Sequence, residues 1–576
     1  MNEKKTAVSP TTLARLSKYI PAINTVRTYN RQWLPKDIVA GLVLSALLVP
    51  QGMAYAELAG LPAITGLYTT VICLVAYAIF GPSPYLVLGP DSSLGPMIAA
   101  AIIPLLVADD PAQAVALAGM MALFVGLIAA GAGIAKLGFV ADLISKPVRV
   151  GYLAGLSVTI FIGQLPKLLG ISVDGDSILE EVAAIFNSIS QVNWWAFGAG
   201  ALALLIITVL KRWKPLWPGI LIAVVAAVLF SMAFGLSARG VRVVGVLPQG
   251  FPIPSLPIVP LSNWPLLFAA ALGMSLVTIG DTISTSAGFA ARNGNEVDSN
   301  QELIGIGAAN LLAGLFQGFP VSTSSSRTAV AEQSGAKTQL TGLVAAALVL
   351  IMLLFVPGLV KAMPQSVLAA VVIIASIGLF DLAELRRLWT IRKSEFVLAV
   401  VAILSVAMIG VLEGIVIAIA LSIFQFFERS WRPHSAILGK NGKDGYQDMD
   451  THADAKQIDG LLIIRWDAPL FFANANIFRD LVRGLIRTTK PTPFWVLITA
   501  EPMTDVDSTA ADMLVDLDLE LNANGRHLIF AEVTPPVKEK IIAYGLLDTI
   551  DHQHFYPTIK QAVKAFRKAV KAREKE

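Results

Sequence analysis

The chain has 576 residues, of which 55% are hydrophobic and only 15% charged, with a mean hydropathy of +0.67 and a formal net charge of +3. Soluble proteins carry roughly a quarter charged residues, so the composition excludes an ordinary soluble protein and points to a polytopic α-helical membrane protein. So small a charge excess, with no basic stripe interleaved with aromatics, also gives nucleic acid no footing as a partner.

Residues 1–36 carry Lys4, Lys5, Arg15, Lys18, Arg27, Arg31 and Lys36 against Glu3 alone. The segment lacks the short charged region and cleavage site of a signal peptide, and reads as an N-terminal cytoplasmic segment. From 37 to 430 the pattern predicts a transmembrane domain of up to fourteen apolar segments: 38–58, 64–80, 91–107, 112–135, 148–166, 194–211, 217–235, 264–290, 301–317, 323–332, 338–357, 365–380, 395–411 and 413–428. Several are too short or too interrupted to cross a bilayer as plain helices. With the N-terminus inside, the inner loops hold Lys136, Lys146, Arg149, Lys211, Arg212, Lys214, Arg292, Lys337, Arg386, Arg387, Arg392 and Lys393, and the outer loops Lys167, Arg239, Arg242 and Lys361. Twelve against four predicts an even number of crossings with both termini in the cytoplasm.

Cys73, the single cysteine, lies in an apolar run and reads as a small core residue, so no disulfide or thiolate metal site arises within the chain. All five histidines follow the last apolar run, so an intramembrane proton relay has no imidazole to use. After Glu428–Pro433, a short charged link, residues 431–576 turn to a soluble α/β pattern. Strands are expected at 461–466, 494–499 and 527–533, and helices near 474–488, 508–523, 535–544 and 557–571.

An internal repeat locates the site. At an offset of 230 residues, Ser45–Gln51 lies over Ser275–Asp281, Tyr55 over Thr285, and Ser92 and Ser93 over Ser322 and Thr323. Interrupted segments at matching positions of two halves mark substrate sites in transporters. Here Gly89-Pro90-Asp91-Ser92-Ser93 and Gly318–Arg327 both place helix breakers before a hydroxyl cluster. Pro and Gly end an incoming helix; Asp, Ser and Thr cap an outgoing one. Two half-helices starting near the midplane would aim free N–H groups at one spot, which is an anion site. The alternative is a pair of cap-rich interfacial turns.

Arg327, one turn into the second half-helix, would add a full charge, and a guanidinium at membrane depth needs a partner or a wet cavity. Asp281 is expected at membrane depth too. With the Thr285 hydroxyl at i+4 on the same face, it could take a proton or offer hard oxygen ligands to Na⁺. A structural Asp281–Arg327 pair is the competing account. Asp91, beside a prospective anion site, reads as a helix cap.

These residues sit within runs that resemble the SulP anion transporters, the solute-carrier-26 family: Asp37–Leu42, Val49–Ala56, Ala59–Pro62, Gly66–Tyr68, Asn300–Leu303, Ser326–Thr328 and Gly335–Thr338. Leu470–Ala475 and Asp507–Ala510 resemble its C-terminal STAS domain. The resemblance implies seven plus seven inverted repeats, divided into a core and a gate domain that move relative to each other in an elevator-like alternating-access cycle, and a homodimer in the bacterial inner membrane. It implies an anion site of Gln51, Tyr55, Ser92, Ser326 and Arg327. It also implies cation coupling by proton or Na⁺ at position 281, often Glu in this family and here Asp. Asp281 with Thr285 is similar to the sodium-dependent bicarbonate branch. In the STAS domain Asp507 reads first as a cap, and Ser508 and Thr509 are the candidate regulatory positions, with cytosolic regulators as candidate partners.

The chain therefore reads as a secondary transporter of a small oxyanion, sulfate first, and as no enzyme; it needs no cofactor or metal besides a coupling ion. No P-loop is present for an ATP-driven pump. Bicarbonate or a C4-dicarboxylate is the alternative substrate, and a non-transporting membrane sensor signalling through the STAS domain is the alternative of another class.

Overall fold

Pro35 and Pro265 stand 230 residues apart, and each lies in the first turn of a long helix introduced by a short 3₁₀ turn, Arg31–Trp33 and Leu261–Asn263. Proline is pre-set for that position, having the right φ and no N–H to leave unpaired. The inverted repeat thus starts each half with the same local chemistry. The computed structural model describes residues 20–107, 110–138, 145–173, 178–214, 217–245, 247–294, 296–442, 445–550 and 552–573. Lys4, Lys5, Arg15 and Lys18 of the N-terminal segment lie outside them. The chain divides into two compact units between Ser422 and Ile423.

All fourteen expected segments are present, thirteen within the first unit and the last running past its end at Ser422. They are α1 Leu34–Leu58, α2 Ala63–Phe80, α3 Gly95–Ile102, α4 Pro111–Ile134, α5 Lys146–Leu169, α6 Trp194–Trp213 and α7 Gly219–Phe234. The second half follows as α8 Trp264–Asn293, α9 Ser299–Leu315, α10 Ser325–Gln333, α11 Leu340–Phe355, α12 Gln365–Leu379, α13 Lys393–Leu404 and α14 Val411–Trp431. Helices Ala22–Thr28, Ile178–Asn187 and Leu382–Ile391 were not anticipated; the last two have one apolar face and run along the surface. Helix α14 continues to Trp431, so most of the expected charged link is helical.

Among the described residues, seven helices are long and apolar enough to cross a membrane. Large apolar side chains such as Leu205, Leu229, Ile351 and Val416 stay exposed on their outer faces, as lipid contact requires.

Helices α1–α4 pack with α8–α11, and α5, α6, α7, α12 and α13 pack with one another. Helix α14 joins the second group where Ser422 Oγ accepts the Ser145 N–H at 2.6 Å. Small residues bring helices of the first group into backbone contact. A Cβ on Gly66 of α2 would stand 1.8 Å from the Gly52 carbonyl of α1, and one on Gly307 of α9 would stand 2.6 Å from Ala130 N of α4.

Buried carboxylates join the halves. Asp37 on α1, fully buried, accepts from the N–H groups of Lys337 and Thr338, at 2.7 and 3.1 Å, and from the Thr338, Thr341 and Tyr29 hydroxyls. Glu302 on α9 accepts from the Tyr77 hydroxyl at 2.6 Å and from Ser83. Each such bond satisfies a charge that would otherwise be stranded away from water.

In the second unit a six-stranded sheet has the order β4-β3-β5-β6-β7-β8. Its strands are β3 Ser435–Asn441, β4 Gly445–Asp448, β5 Leu461–Trp466, β6 Trp495–Thr499, β7 His527–Ala531 and β8 Phe555–Tyr556. Strands β5 to β8 are parallel, and β3 is antiparallel to both neighbours. One face is covered by α15 Ala475–Thr488, α16 Ser508–Ala523 and α17 Pro535–Ala543, the other by α18 Ile559–Arg573. The three strands expected from sequence are the sheet's centre, buried on both faces and so continuously apolar. The edge strands β4 and β8 escaped because they are short, and β3, between β4 and β5, because its run is mixed in polarity.

Candidate functional site

Two strands of two residues each carry the centre of the first unit. In β1, Leu88–Gly89, and β2, Ser322–Thr323, the antiparallel register pairs Leu88 with Thr323 and Gly89 with Ser322. Helix α3 leaves one strand and α10 the other, so both short helices begin beside the same crossing. Asp91 shapes the first start: its Oδ1 accepts from Ser93 N at 3.0 Å and from Ser93 Oγ at 2.8 Å. Ser324 caps the second, accepting the Arg327 N–H at 3.4 Å.

Asp91 thus caps the turn that leads into α3 rather than the helix itself, whose N-cap is Leu94 with no side-chain bond, and a second role joins this one. Arg327 Nη2 donates to Asp91 Oδ2 at 3.3 Å, with the arginine side chain 1% exposed. The Asp281–Arg327 pair considered from sequence does not form, because the strand crossing carries Arg327 toward α3 rather than α8. The guanidinium lies over Gly89, where a Cβ would come within 2.6 Å of Nη1. Nε and Nη1 have no hydrogen-bond partner among the described residues. Gly89 is thus required by close approach.

In front of the crossing opens a cavity of ≈730 Å³. Gln51 and Tyr55 of α1 line it together with Ser92, Asp281, Thr285 and Ser326. Of the seven transmembrane residues named from sequence for anion or cation, six therefore face one space. Arg327 is the exception: it sits behind the wall that Ser324, Ser325 and Ser326 make. Gln51 is buried with Oε1 unpartnered among the described residues. Thr285 Oγ1 and Ser325 Oγ are 2.8 Å apart, and Thr282 Oγ1 and Thr323 Oγ1 2.9 Å, so α8 is stitched to β2 and α10 by hydroxyl pairs. The Asp281 carboxylate has no hydrogen bond or ion pair among the described residues.

The opposite wall holds residues that sequence reasoning had assigned to loops. Lys146 and Arg149 lie in the first turns of α5, and Lys146 Nζ pairs with Glu384 at 2.7 Å. Pro147 was the missed signal: as a first-turn residue it starts the helix two positions before Arg149. The mouth is ringed by Lys211, Gly219 and Asp381, on the face where the loop charges predict the cytoplasm.

Elsewhere, Asp507 Oδ1 accepts the Ala510 N–H at 2.8 Å, capping α16, and its Oδ2 accepts from Phe472 N. Ser508 and Thr509 follow it with exposed side chains in the first turn.

Comparison with known proteins identifies the family and the fold. The model of the sulfate permease family matches residues 34–403, and that of the STAS domain matches 452–562. A probable sulfate transporter of Mycobacterium tuberculosis is 41% identical over 551 residues, covering 96% of this chain and 98% of the relative. Probable sulfate transporter 4.2 of Arabidopsis thaliana is 31% identical, covering 94% and 83%. The murine solute carrier 26 family member A9 anion transporter, in an inward-facing state, superposes with a TM-score of 0.90 at 23% identity, covering 98% of this chain and 97% of that one. The transmembrane domain of a cyanobacterial bicarbonate transporter gives 0.59 at 23% identity, covering 69% and 97%. The fold is therefore that of a polytopic helical transporter with a C-terminal STAS domain.

Proposed function

Because this chain belongs to the sulfate permease family of anion transporters, we propose that it carries sulfate across the membrane as a secondary transporter, driven by co-movement of a proton or Na⁺. One observation bears most of the reading: two short helices start side by side at a polar cavity, presenting N–H groups, hydroxyls and the Gln51 amide at its floor, where the Asp91 carboxylate is offset by its pairing with Arg327. Helix N-termini carry partial positive charge, and hydroxyl and amide donors complete an oxyanion's shell without a metal.

Anchored by Asp91, Arg327 holds its charge directly beneath that floor. Asp281, unpartnered at the cavity wall, is the natural place for the coupling cation, with Thr285 as the neighbouring oxygen. The cavity opens toward the basic face, so the conformation is read as inward-open. The two groups of helices, joined mainly where α1 meets α7 and α12, are suited to slide past one another as core and gate. The relatives named for sulfate support that substrate before bicarbonate or a C4-dicarboxylate.

The test is uptake of labelled sulfate into proteoliposomes with proton and Na⁺ gradients imposed separately. Asp281→Asn removes the charge at nearly constant volume, so accumulation against a gradient should fail while sulfate exchange survives. Undiminished, equally cation-dependent accumulation in Asp281→Asn would remove the residue from coupling.

A further inference from the structure

Arg149 is placed where a helix should not put it. Cations in the first turn oppose the helix dipole, and α5 begins with two of them, Lys146 and Arg149, and no acidic residue. Lys146 is compensated by Glu384. Arg149 has no ion pair or hydrogen bond among the described residues, although it lines the ≈730 Å³ cavity. It also shares a second, small cleft of ≈30 Å³ with Tyr152 and Asp281, so the guanidinium of one wall and the unpartnered carboxylate of the other border one small space.

The charges at the site then sum simply. Asp91 and Arg327 cancel. Two helix N-termini contribute about half a charge each, roughly +1 together. Arg149 adds +1, and Asp281 subtracts one unless a cation or proton occupies it. Lys211 and Asp381 remain at the mouth, facing water. With Asp281 neutralised, the site therefore offers roughly +2, which matches a doubly charged oxyanion; without Arg149 it would offer roughly +1 and suit a monoanion.

We infer that Arg149 is a substrate-binding residue contributed by the gate-side helices, and that it sets the preference of the cavity for dianions over monoanions. The assignment rests on reading the cavity as the anion site. It gives one anion contacts on both groups of helices, so that binding itself draws core and gate together.

The experiment titrates the full-length protein in nanodiscs with sulfate and with nitrate at constant ionic strength. Arg149→Ala and Arg149→Gln should each weaken sulfate about tenfold or more and nitrate by less than about threefold, with Arg149→Lys between them and wild type. The sulfate loss should persist in an Asp281→Asn background. Equal losses for both anions, no loss, or a loss that disappears in Asp281→Asn would overturn the assignment, the last by making Arg149 a mere counter-charge. A wild-type protein that binds neither anion would overturn the anion-site reading itself, and this assignment with it.

Discussion

Asp91 and Arg327 illustrate how one contact decides the sign of a site. A carboxylate beside an anion cavity repels the substrate unless its charge is spent, and here it is spent on a guanidinium that has no route to water. Removing one partner of such a buried pair costs about 3–5 kcal/mol, mainly by stranding the other. Arg327→Ala should therefore lose sulfate binding by more than about tenfold, because the freed Asp91 faces the floor of the cavity. Arg327→Lys should recover part, since the ammonium reaches the carboxylate but lacks the planar fork. Adding Asp91→Asn to Arg327→Ala should also recover part. Uptake at wild-type level in folded Arg327→Ala would remove the residue from the site. The sequence already marked both residues, since breakers and hydroxyls around them are local signals. Their partnership was not legible, because it joins positions 236 apart through a strand crossing no local pattern reports.

At the scale of elements, the helix starts were the most readable features, since Pro35, Asp91, Pro265, Ser324 and Asp507 act within a turn or so of their own positions. One helix carries a misfit. Asp518 on α16 is buried; its Oδ2 accepts from Asn522 at 2.9 Å, and its Oδ1 has no partner among the described residues. Burial pushes its carboxyl up to about 6, against an unfolded value near 3.9. Between those values the folded state holds the extra proton, so this contribution to stability is present below about pH 4 and lost as pH rises through about 6. Asp467 and Asp505 are held low by Arg465 and Lys540 and act below that window. His527, pushed down by burial, acts in the opposite direction below about 6.5 and cancels in a comparison of variants. Asp518→Asn should thus stabilise the unit by on the order of 1–2 kcal/mol at pH 7 and by little at pH 4. Hydrogen exchange of the α16 amides in the full chain measures this, and an equal gain at both pH values would refute it.

For the whole molecule, every residue that lines the cavity precedes 385, within the first compact unit. Binding should therefore be complete without the STAS domain. A chain ending after Arg432, purified in folded form, should bind sulfate within about tenfold of the full protein, or roughly 1.4 kcal/mol. Transport rate and expression are free to fall further. A well-folded truncated protein with no calorimetric sulfate binding would place part of the site in the second unit.

By itself the sequence determined the number of segments, the two interrupted ones, the α/β character of the last 146 residues and, among the seven side chains it named for the site, the six that line the cavity. Hydrophobic period, caps and breakers act over a few residues, and such information survives in one dimension. Tertiary structure alone decided that Asp37 closes the turn at Lys337–Thr338, that Arg327 turns to Asp91 and leaves Asp281 open, and that Arg149, counted as a loop charge, stands in the wall of the site. Charges choose partners by distance in space, and only the interleaving of the two inverted halves sets those distances.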